Sequence, residues 1–172
     1  YDTYISNFLE RKFDQPSSYL RINYKKEKDL RYGENPHQNA TLYGNFHSYF
    51  DVFHGKELSY NNILDLISAV ELVEDLGENS CTIIKHNNPA GAATGKDPFD
   101  AYTRALKCDP VSAFGGIVSF NSKVDEKLAE KLNEIFLEIV CAPDYSEEAI
   151  KVLSRKKDRR LHRKGQYVSL WG

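Results

Sequence analysis

Short apolar runs alternate with amphipathic helical patterns along most of this chain, and this alternation restricts the folds open to it. Three runs have the length and β-branched content of buried strands: residues 81–85, 117–120 and 139–141. Apolar residues at helical spacing lie between them, for example Ile63, Ile67 and Val70. Strands that are apolar throughout are typical of a sheet covered by helices on both faces. The sequence therefore predicts an α/β fold with layered helices and sheet.

The predicted helices start at residues that suit helix N-termini. Ser59 is a suitable N-cap for the first long helix, and Ser146 for the last one. Asp97 can cap a middle helix that has Pro98 at its first position, and Asp109 with the following proline ends it. The helix boundaries and the apolar spacing therefore agree with each other.

The two ends of the chain fit this pattern less well. Residues 1–20 mix polar and aromatic side chains, and Pro16 should break any helix, so we interpret them as a connecting segment. Residues 167–171 have the pattern of one more strand, with nothing after it. The chain also contains no methionine. We therefore expect a domain that is cut short.

Composition excludes several classes of protein. The formal net charge is −2, so no general attraction to nucleic acid or anionic membrane is expected. No apolar run approaches the ~20 residues that span a bilayer, and the N-terminus lacks the pattern of a secretory signal. Cys81, Cys108 and Cys141 form no C-x-x-C pair, so we expect no structural zinc and a reducing, cytoplasmic location.

The strand at residues 81–85 leads directly into Lys85 and His86, followed by a predicted loop that contains Pro89 and Gly91. Catalytic groups are common on loops held by the end of a rigid strand. Histidine exchanges protons near neutral pH, and the adjacent lysine supplies a fixed positive charge. A solvated lysine beside a histidine that only bonds the loop would give the same pattern. The pair is a candidate catalytic site, and the residues around it must distinguish the two interpretations.

Two polar pairs precede or open the first long helix. The guanidinium group of Arg31 has several N–H donors that can bind a phosphate, and Tyr32 has a flat ring with a hydroxyl group. However, an exposed arginine is usually only solvated. Asn61 and Asn62 are suited either to capping the helix or to contacting a ligand. We assign the capping role to at least one of them.

Two further positions are ambiguous. The paired glycines Gly115 and Gly116 let a ligand approach the backbone closely, or they simply form a tight turn. Glu138 lies in the otherwise apolar run at residues 136–140, where a carboxylate costs free energy unless it is paired. It is either a surface residue at a strand end or an acceptor for a ligand.

Familiar nucleotide-binding and hydrolase motifs are absent. The segment 91–96 is similar to a phosphate loop, but three residues rather than four separate its glycines, and Asp97 follows the lysine. The dinucleotide fingerprint, the zinc-deaminase signature and the serine nucleophile elbow do not occur.

The basic run at residues 155–164 contains seven cations and one aspartate. Such a run can bind nucleic acid. However, no aromatic residue interleaves it, and the chain as a whole is acidic. We therefore interpret it as the solvated end of a helix.

Four segments occur together in an order that resembles a known enzyme family: residues 30–38, 58–62, 85–91 and 109–116. They are similar to the AICAR transformylase domain of the bifunctional purine biosynthesis enzymes that also carry IMP cyclohydrolase. Residues 1–20 resemble the linker and the end of the cyclohydrolase domain. Residues 21–172 resemble the N-terminal half of the transformylase domain.

This resemblance implies a fold similar to that of the cytidine deaminases, without a metal. It implies formyl transfer from 10-formyltetrahydrofolate to the 5-amino group of AICAR, followed by ring closure to IMP in the cyclohydrolase domain. It also implies a cytoplasmic homodimer with sites at the subunit interface, and no nucleic-acid or membrane partner. Because the family's domain is longer than this chain, we expect the chain alone to be inactive and most of the folate pocket to lie outside it.

The same resemblance implies roles for individual residues. His86 matches the proton-accepting histidine, and Lys85 matches the lysine that stabilises the transition state. Arg31 and Tyr32 match residues that hold the nucleotide. The other matched substrate contacts are Asn61, Phe114, Gly115 and Glu138. Glu138 stands where some relatives have aspartate, so its contact is expected to differ in reach.

The implied chemistry suits these residue types. The amine of AICAR is a weak nucleophile and needs a base such as histidine, and an ammonium group can stabilise the negative charge that develops on the formyl oxygen. Two other functions stay open. One is a non-catalytic module that binds a nucleoside monophosphate, and the other is an RNA-binding fragment that uses residues 155–164.

Overall fold

The computed structural model describes residues 2–13 and 22–165, which form six helices and eight strands. The helices are α1 Asp2–Phe13, α2 Phe46–Tyr49, α3 Tyr60–Asp75, α4 Pro98–Cys108, α5 Glu126–Leu132 and α6 Glu147–Leu153. The strands are β1 Lys26–Asp29, β2 Thr41–Tyr43, β3 Phe50–His54, β4 Ser80–Lys85, β5 Asn88–Thr94, β6 Gly116–Phe120, β7 Leu137–Ala142 and β8 Arg160–Lys164.

Six of the strands form a mixed sheet in the order β3-β8-β7-β6-β4-β5. Strands β6, β7 and β8 are parallel, as expected where helices connect successive strands. Strand β4 runs antiparallel to both β6 and β5, and β3 runs antiparallel to β8. Strands β1 and β2 form a separate antiparallel pair. The sheet therefore places the end of β4 beside the beginning of β6.

Helices cover both faces of this sheet, which confirms the predicted α/β layering. Ile83, Val118 and Val140 point to a core shared with α4, α5 and α6. Their neighbours Ile117 and Ile139 point to the opposite core, which contains α3. Because successive strand residues alternate between two buried faces, the strands are apolar at every position.

The helix starts are those that the sequence indicates. The Ser59 hydroxyl accepts a hydrogen bond from the backbone N–H of Asn62, whose side chain accepts one from the N–H of Ser59, forming a capping box. Asp97 accepts from the N–H of Asp100 at 2.7 Å and Ser146 from that of Ala149 at 3.1 Å. These local contacts fix where α3, α4 and α6 begin.

Two predictions of irregular structure are wrong. Residues 2–13 form helix α1, which the sequence did not predict, although their role as a connecting segment stays a prediction. The predicted helix break at Pro16 and the predicted strand at residues 167–171 lie outside the described residues. The predicted loop after Lys85 is a two-residue turn followed by β5. Pro89 is tolerated because β5 is an edge strand, and Gly91 allows close packing, since a Cβ there would lie 2.0 Å from the carbonyl oxygen of Ala105.

The interpretation of the basic run as a solvated helix end is also wrong. Its C-terminal half forms β8, which lies between β3 and β7. Arg159 is 0 % exposed and donates to the carbonyl oxygens of Leu132, Ile135 and Leu137, between the end of α5 and the beginning of β7. Burial lowers the pKa of Arg159 to about 10. The charges of this run are therefore partly internal, and the run is not one continuous basic surface.

Within the ranges 2–13 and 22–165, no helix is both long enough and apolar enough to cross a membrane.

Strand β8 also carries a histidine that should make stability depend on pH. His162 is fully buried beside Phe46 and Phe50, and burial lowers its pKa to about 3. Between that value and 6.5, the unfolded chain binds a proton that the folded chain does not, so stability falls as the pH drops below 6.5. We expect the free energy of unfolding to fall by about 2 kcal/mol between pH 7.5 and pH 5 from this group.

Urea unfolding at several pH values measures this slope. His162→Leu should flatten it between pH 5 and 7, whereas a change at the exposed His37, such as His37→Gln, should not. An unchanged slope in His162→Leu contradicts the prediction.

Candidate functional site

A cavity of about 360 Å³ opens where the end of β4 meets the beginnings of β6 and β7. The N-terminal turn of α3 and the segment that contains Tyr32 close its other side. The lining residues are Tyr32, Ser59, Asn61, Asn62, Asp65, Lys85, His86, Phe114, Gly115, Ile117, Phe136 and Glu138. This volume lies in the range of small-molecule sites.

Lys85 and His86 lie at the mouth of this cavity. Lys85 is the half-buried last residue of β4, and its ammonium group donates a hydrogen bond to the carbonyl oxygen of Phe114. His86 is exposed and forms a two-residue turn with Asn87, in which the φ angles are 52° and 60°. The turn lets β5 start at once and leaves the imidazole at the sheet edge, beside a cation that a backbone contact holds in place.

Arg31 and Tyr32 interact with each other at the rim. The guanidinium carbon of Arg31 lies 4.7 Å from the centre of the Tyr32 ring, and its Nη2 donates to the Tyr32 hydroxyl at 2.9 Å. Hydrogen bonds from Arg31, and then from Ser59, lower the pKa of the Tyr32 hydroxyl. Tyr32 lines the cavity, and Arg31, which is exposed, contacts it through Tyr32.

The loop before β6 supplies the wall opposite α3. Gly115 has a φ of 73°, and its N–H donates to the carbonyl oxygen of Phe136 at 2.8 Å. The rings of Phe114 and Phe136 lie 5.7 Å apart, although Phe114 is still largely exposed. Glycine at position 115 is therefore favoured by its positive φ, since a Cβ there would make only ordinary contacts, the nearest 3.6 Å from the Lys85 ammonium.

Glu138 is an internally anchored carboxylate rather than a simple surface residue. Its Oε2 accepts a hydrogen bond from Asn62 Nδ2 at 2.7 Å and lies 3.7 Å from Nη1 of Arg160. Arg160 is 4 % exposed and donates its other N–H groups to the carbonyl oxygens of Lys56 and Glu57. These contacts hold Glu138 in place while it lines the cavity.

The two asparagines have different roles. Asn62 is buried, caps α3 and also bonds Glu138, so it combines the two roles that the sequence left open. Asn61 is exposed, and its Nδ2 donates to the carbonyl oxygen of Glu34 at 3.0 Å. Asn61 thus ties the segment 30–38 to the helix that lines the cavity.

The structure brings the predicted site residues together. Lys85, His86, Tyr32, Asn61, Phe114, Gly115 and Glu138 line one cavity, and Arg31 is in contact with Tyr32. Sequence reasoning missed three neighbours as site residues, namely Asn62 as a Glu138 partner, Asp65 and Arg160. Arg160 lies in the dense run of cations at residues 155–164, where nothing in the sequence distinguishes a buried arginine from its exposed neighbours.

A second cavity of about 420 Å³ shares Lys85 and His86 with the first. Its other walls include Pro89 from β5 and Val111 and Ser112 from the loop after α4. A third cavity, of about 220 Å³, is mainly apolar and contains none of the predicted site residues. The Lys85–His86 pair therefore stands between two openings of similar size.

Among the described residues, no cluster of three or more His, Cys, Asp and Glu side chains is placed to hold a metal ion.

The family model of the AICARFT/IMPCHase bienzyme matches residues 1–168. The chain belongs to this family. It is 48% identical over 168 residues to the bifunctional purine biosynthesis protein PurH of Bacillus cytotoxicus and 51% identical over 166 residues to that of Clostridium botulinum strain Hall. Each match covers 94% of this chain and 33% of the relative, so the chain spans about a third of the length of the relatives it matches.

Membership of the AICARFT/IMPCHase bienzyme family confirms the family resemblance drawn from the four segments at residues 30–38, 58–62, 85–91 and 109–116. The names of both relatives describe a role in purine biosynthesis. All four segments contribute to the 360 Å³ cavity or contact a residue that lines it.

The backbone conformation of Gly115 leads to a stability prediction. Alanine at φ 73° is strained, so Gly115→Ala should lower the free energy of unfolding by about 1 kcal/mol. Gly77 is a matched control, because it does not have a positive φ and a Cβ there would meet nothing within 4 Å. Denaturant unfolding should show a loss for Gly115→Ala and none for Gly77→Ala. Equal stabilities for the two variants contradict the prediction.

Proposed function

We propose that this chain provides the AICAR-binding cavity and the proton-transfer pair of an AICAR formyltransferase in purine biosynthesis. The observation that carries the proposal is that Lys85 and His86 share one cavity with Tyr32, Phe114 and Glu138, which come from separate segments of the sequence. A base, a fixed cation and polar anchors around one small cavity are what a nucleotide formyl transfer needs.

The polar groups suggest how AICAR lies in the cavity. The exposed guanidinium group of Arg31 suits the phosphate, because arginine presents paired donors to phosphate oxygens. The Glu138 carboxylate, anchored by Asn62 and Arg160, suits the ribose hydroxyls as an acceptor. In this arrangement the imidazole ring of AICAR lies next to Gly115 and the Lys85–His86 pair.

The reaction then assigns a different role to each group. His86 accepts a proton from the 5-amino group as its nitrogen bonds to the formyl carbon. The Lys85 ammonium stabilises the negative oxygen of the tetrahedral intermediate. The bond from the formyl carbon to N10 of the folate then breaks as the carbonyl group re-forms. N10 takes up the proton that His86 accepted, so that tetrahydrofolate and formyl-AICAR leave and the base is regenerated.

The second cavity supports a position for the formyl donor. It shares Lys85 and His86 with the proposed nucleotide cavity, and its other lining residues come from β5 and from the loop at residues 109–112. We propose that the formyl end of 10-formyltetrahydrofolate enters there, with no metal cofactor. The rest of the folate, a partner subunit in a homodimer and a cytoplasmic location remain parts of the same proposal.

The two rival functions have less support. A non-catalytic nucleotide-binding module does not require a second cavity at the Lys85–His86 pair. RNA binding by residues 155–164 would require their cations to be exposed. Arg159 and Arg160 are instead buried and donate to internal carbonyl groups, which weakens this alternative.

The binding half of the proposal can be measured on the 172-residue chain. Isothermal titration should detect AICAR binding, and Arg31→Ala should weaken it by about tenfold because a phosphate contact is lost. Arg11→Ala is a control, since it removes a cation in α1. Binding of unphosphorylated AICA riboside should be weaker than that of AICAR. Equal binding of both compounds contradicts the phosphate assignment.

The catalytic half needs the length of the relatives. We expect the isolated chain to show no formyl transfer, and the assay uses a full-length Bacillus cytotoxicus relative in which this chain replaces the matching third. His86→Ala and Lys85→Ala should each lower turnover by about 100-fold or more, while the exposed Lys107→Ala should not. Full turnover in His86→Ala, or turnover by the isolated chain at the full-length rate, contradicts the proposal.

A further inference from the structure

A carboxylate from α3 holds the turn that carries His86. The backbone N–H of His86 donates to Oδ2 of Asp65 at 3.2 Å, and that of Asn87 donates to Oδ1 at 2.7 Å. Asp65 is half-buried and lies 21 residues before His86 in the sequence. One side chain thus bonds both N–H groups of a two-residue turn through its two oxygens.

The turn needs an external contact of this kind. Both central residues have positive φ angles, 52° at His86 and 60° at Asn87, and such turns strongly favour Asn-Gly or Gly-Gly. Two consecutive non-glycine residues in this region persist only when surrounding contacts hold them there. Asp65 supplies two such contacts, and the Ser68 hydroxyl supplies a third by donating to Oδ1 of Asn87.

The position of Asp65 is itself fixed. Asp65 and Ser68 are three residues apart on α3, so they lie on the same face of the helix. That face is anchored to β4, because the Thr82 hydroxyl donates to the carbonyl oxygen of Ala69 at 2.8 Å. The helix, the strand and the turn therefore form one rigid unit, and Asp65 transmits the position of α3 to the backbone of His86.

We propose that Asp65 is a positioning residue that keeps the His86 imidazole at the nucleotide cavity. This inference rests on the proposed function, since it assigns Asp65 a task in the same formyl transfer. Lys85 is held separately, through the carbonyl oxygen of Phe114. Loss of the Asp65 carboxylate should therefore release the base and leave the cation and the nucleotide contacts at Arg31 in place.

The experiment uses NMR of the ¹⁵N-labelled 172-residue chain. Asp65→Ala should speed amide hydrogen exchange at His86 and Asn87 by about tenfold, with no change at the sheet residues Ile83 and Val118. Glu71→Ala, an exposed carboxylate on the same helix, is the matched control. Asp65→Asn keeps one acceptor oxygen, so its exchange rates should lie between those of wild type and Asp65→Ala. It also provides a second variant if Asp65→Ala is unstable.

A second measurement separates positioning from a general loss of structure. AICAR should shift the ring resonances of His86 in the wild type, and Asp65→Ala should remove most of this shift while changing the AICAR dissociation constant by less than about threefold. Adding Asn87→Gly to Asp65→Ala should restore part of the shift, because glycine accepts a positive φ without strain.

Each outcome decides one point. Unchanged amide exchange in Asp65→Ala, or an unchanged AICAR-induced shift at His86, overturns the positioning role. Equal losses at the turn and at the sheet residues in both Asp65 variants also overturn it, because they indicate a role in folding alone. If the wild type does not bind AICAR, the proposed function fails, and with it the purpose assigned to Asp65. The exchange rates then still establish whether Asp65 holds the turn.

Discussion

The antiparallel pairing of β4 with β6 determines where every candidate functional group lies. The pairing sets Ile84 opposite Ile117, so the end of β4 meets the beginning of β6, and the parallel neighbour β7 begins at the same edge. If β4 ran parallel to β6, Lys85 would lie at the opposite edge, about 17 Å from Gly115 for five residues of strand. The cavity lies at this edge because β4 runs opposite to the parallel strands β6, β7 and β8.

Around this edge, internal polar contacts hold the groups that face the cavity. Arg160 donates through Nε and Nη2 to the backbone carbonyl oxygens of Lys56 and Glu57, and its Nη1 faces Glu138. A buried guanidinium is stable only when its donors are satisfied, so these contacts also fix the distance between β8 and the loop before α3. Asp65 acts in the same way on the turn after β4. The site therefore consists of polar groups whose positions are fixed by hydrogen bonds to neighbouring elements.

Local signals in the sequence were sufficient for the parts of the fold that local interactions determine. Ser59 and Asp97 cap their helices through residues three positions away, and the apolar strands need only their own composition to be recognised. Strand β8 was missed because its charged residues become strand through pairing with β3 and β7 and through bonds to residues more than 20 positions away. Hydrogen bonds between residues so far apart in the sequence, such as those of Arg159 and Asp65, leave no periodic pattern.

The position of the Lys85–His86 pair between two cavities favours transfer over binding alone. A group transfer requires the nucleophile and the electrophilic carbon to approach to about 3–3.5 Å, with the base and the stabilising cation at the same point. Two substrates that enter from opposite sides can meet only where their cavities share a wall, and the described residues common to the two cavities are Lys85 and His86. A protein that only binds a nucleotide could carry these two residues in one cavity alone without losing affinity. Their position on the shared wall, in a turn that histidine occupies only with outside support, supports the proposed transfer.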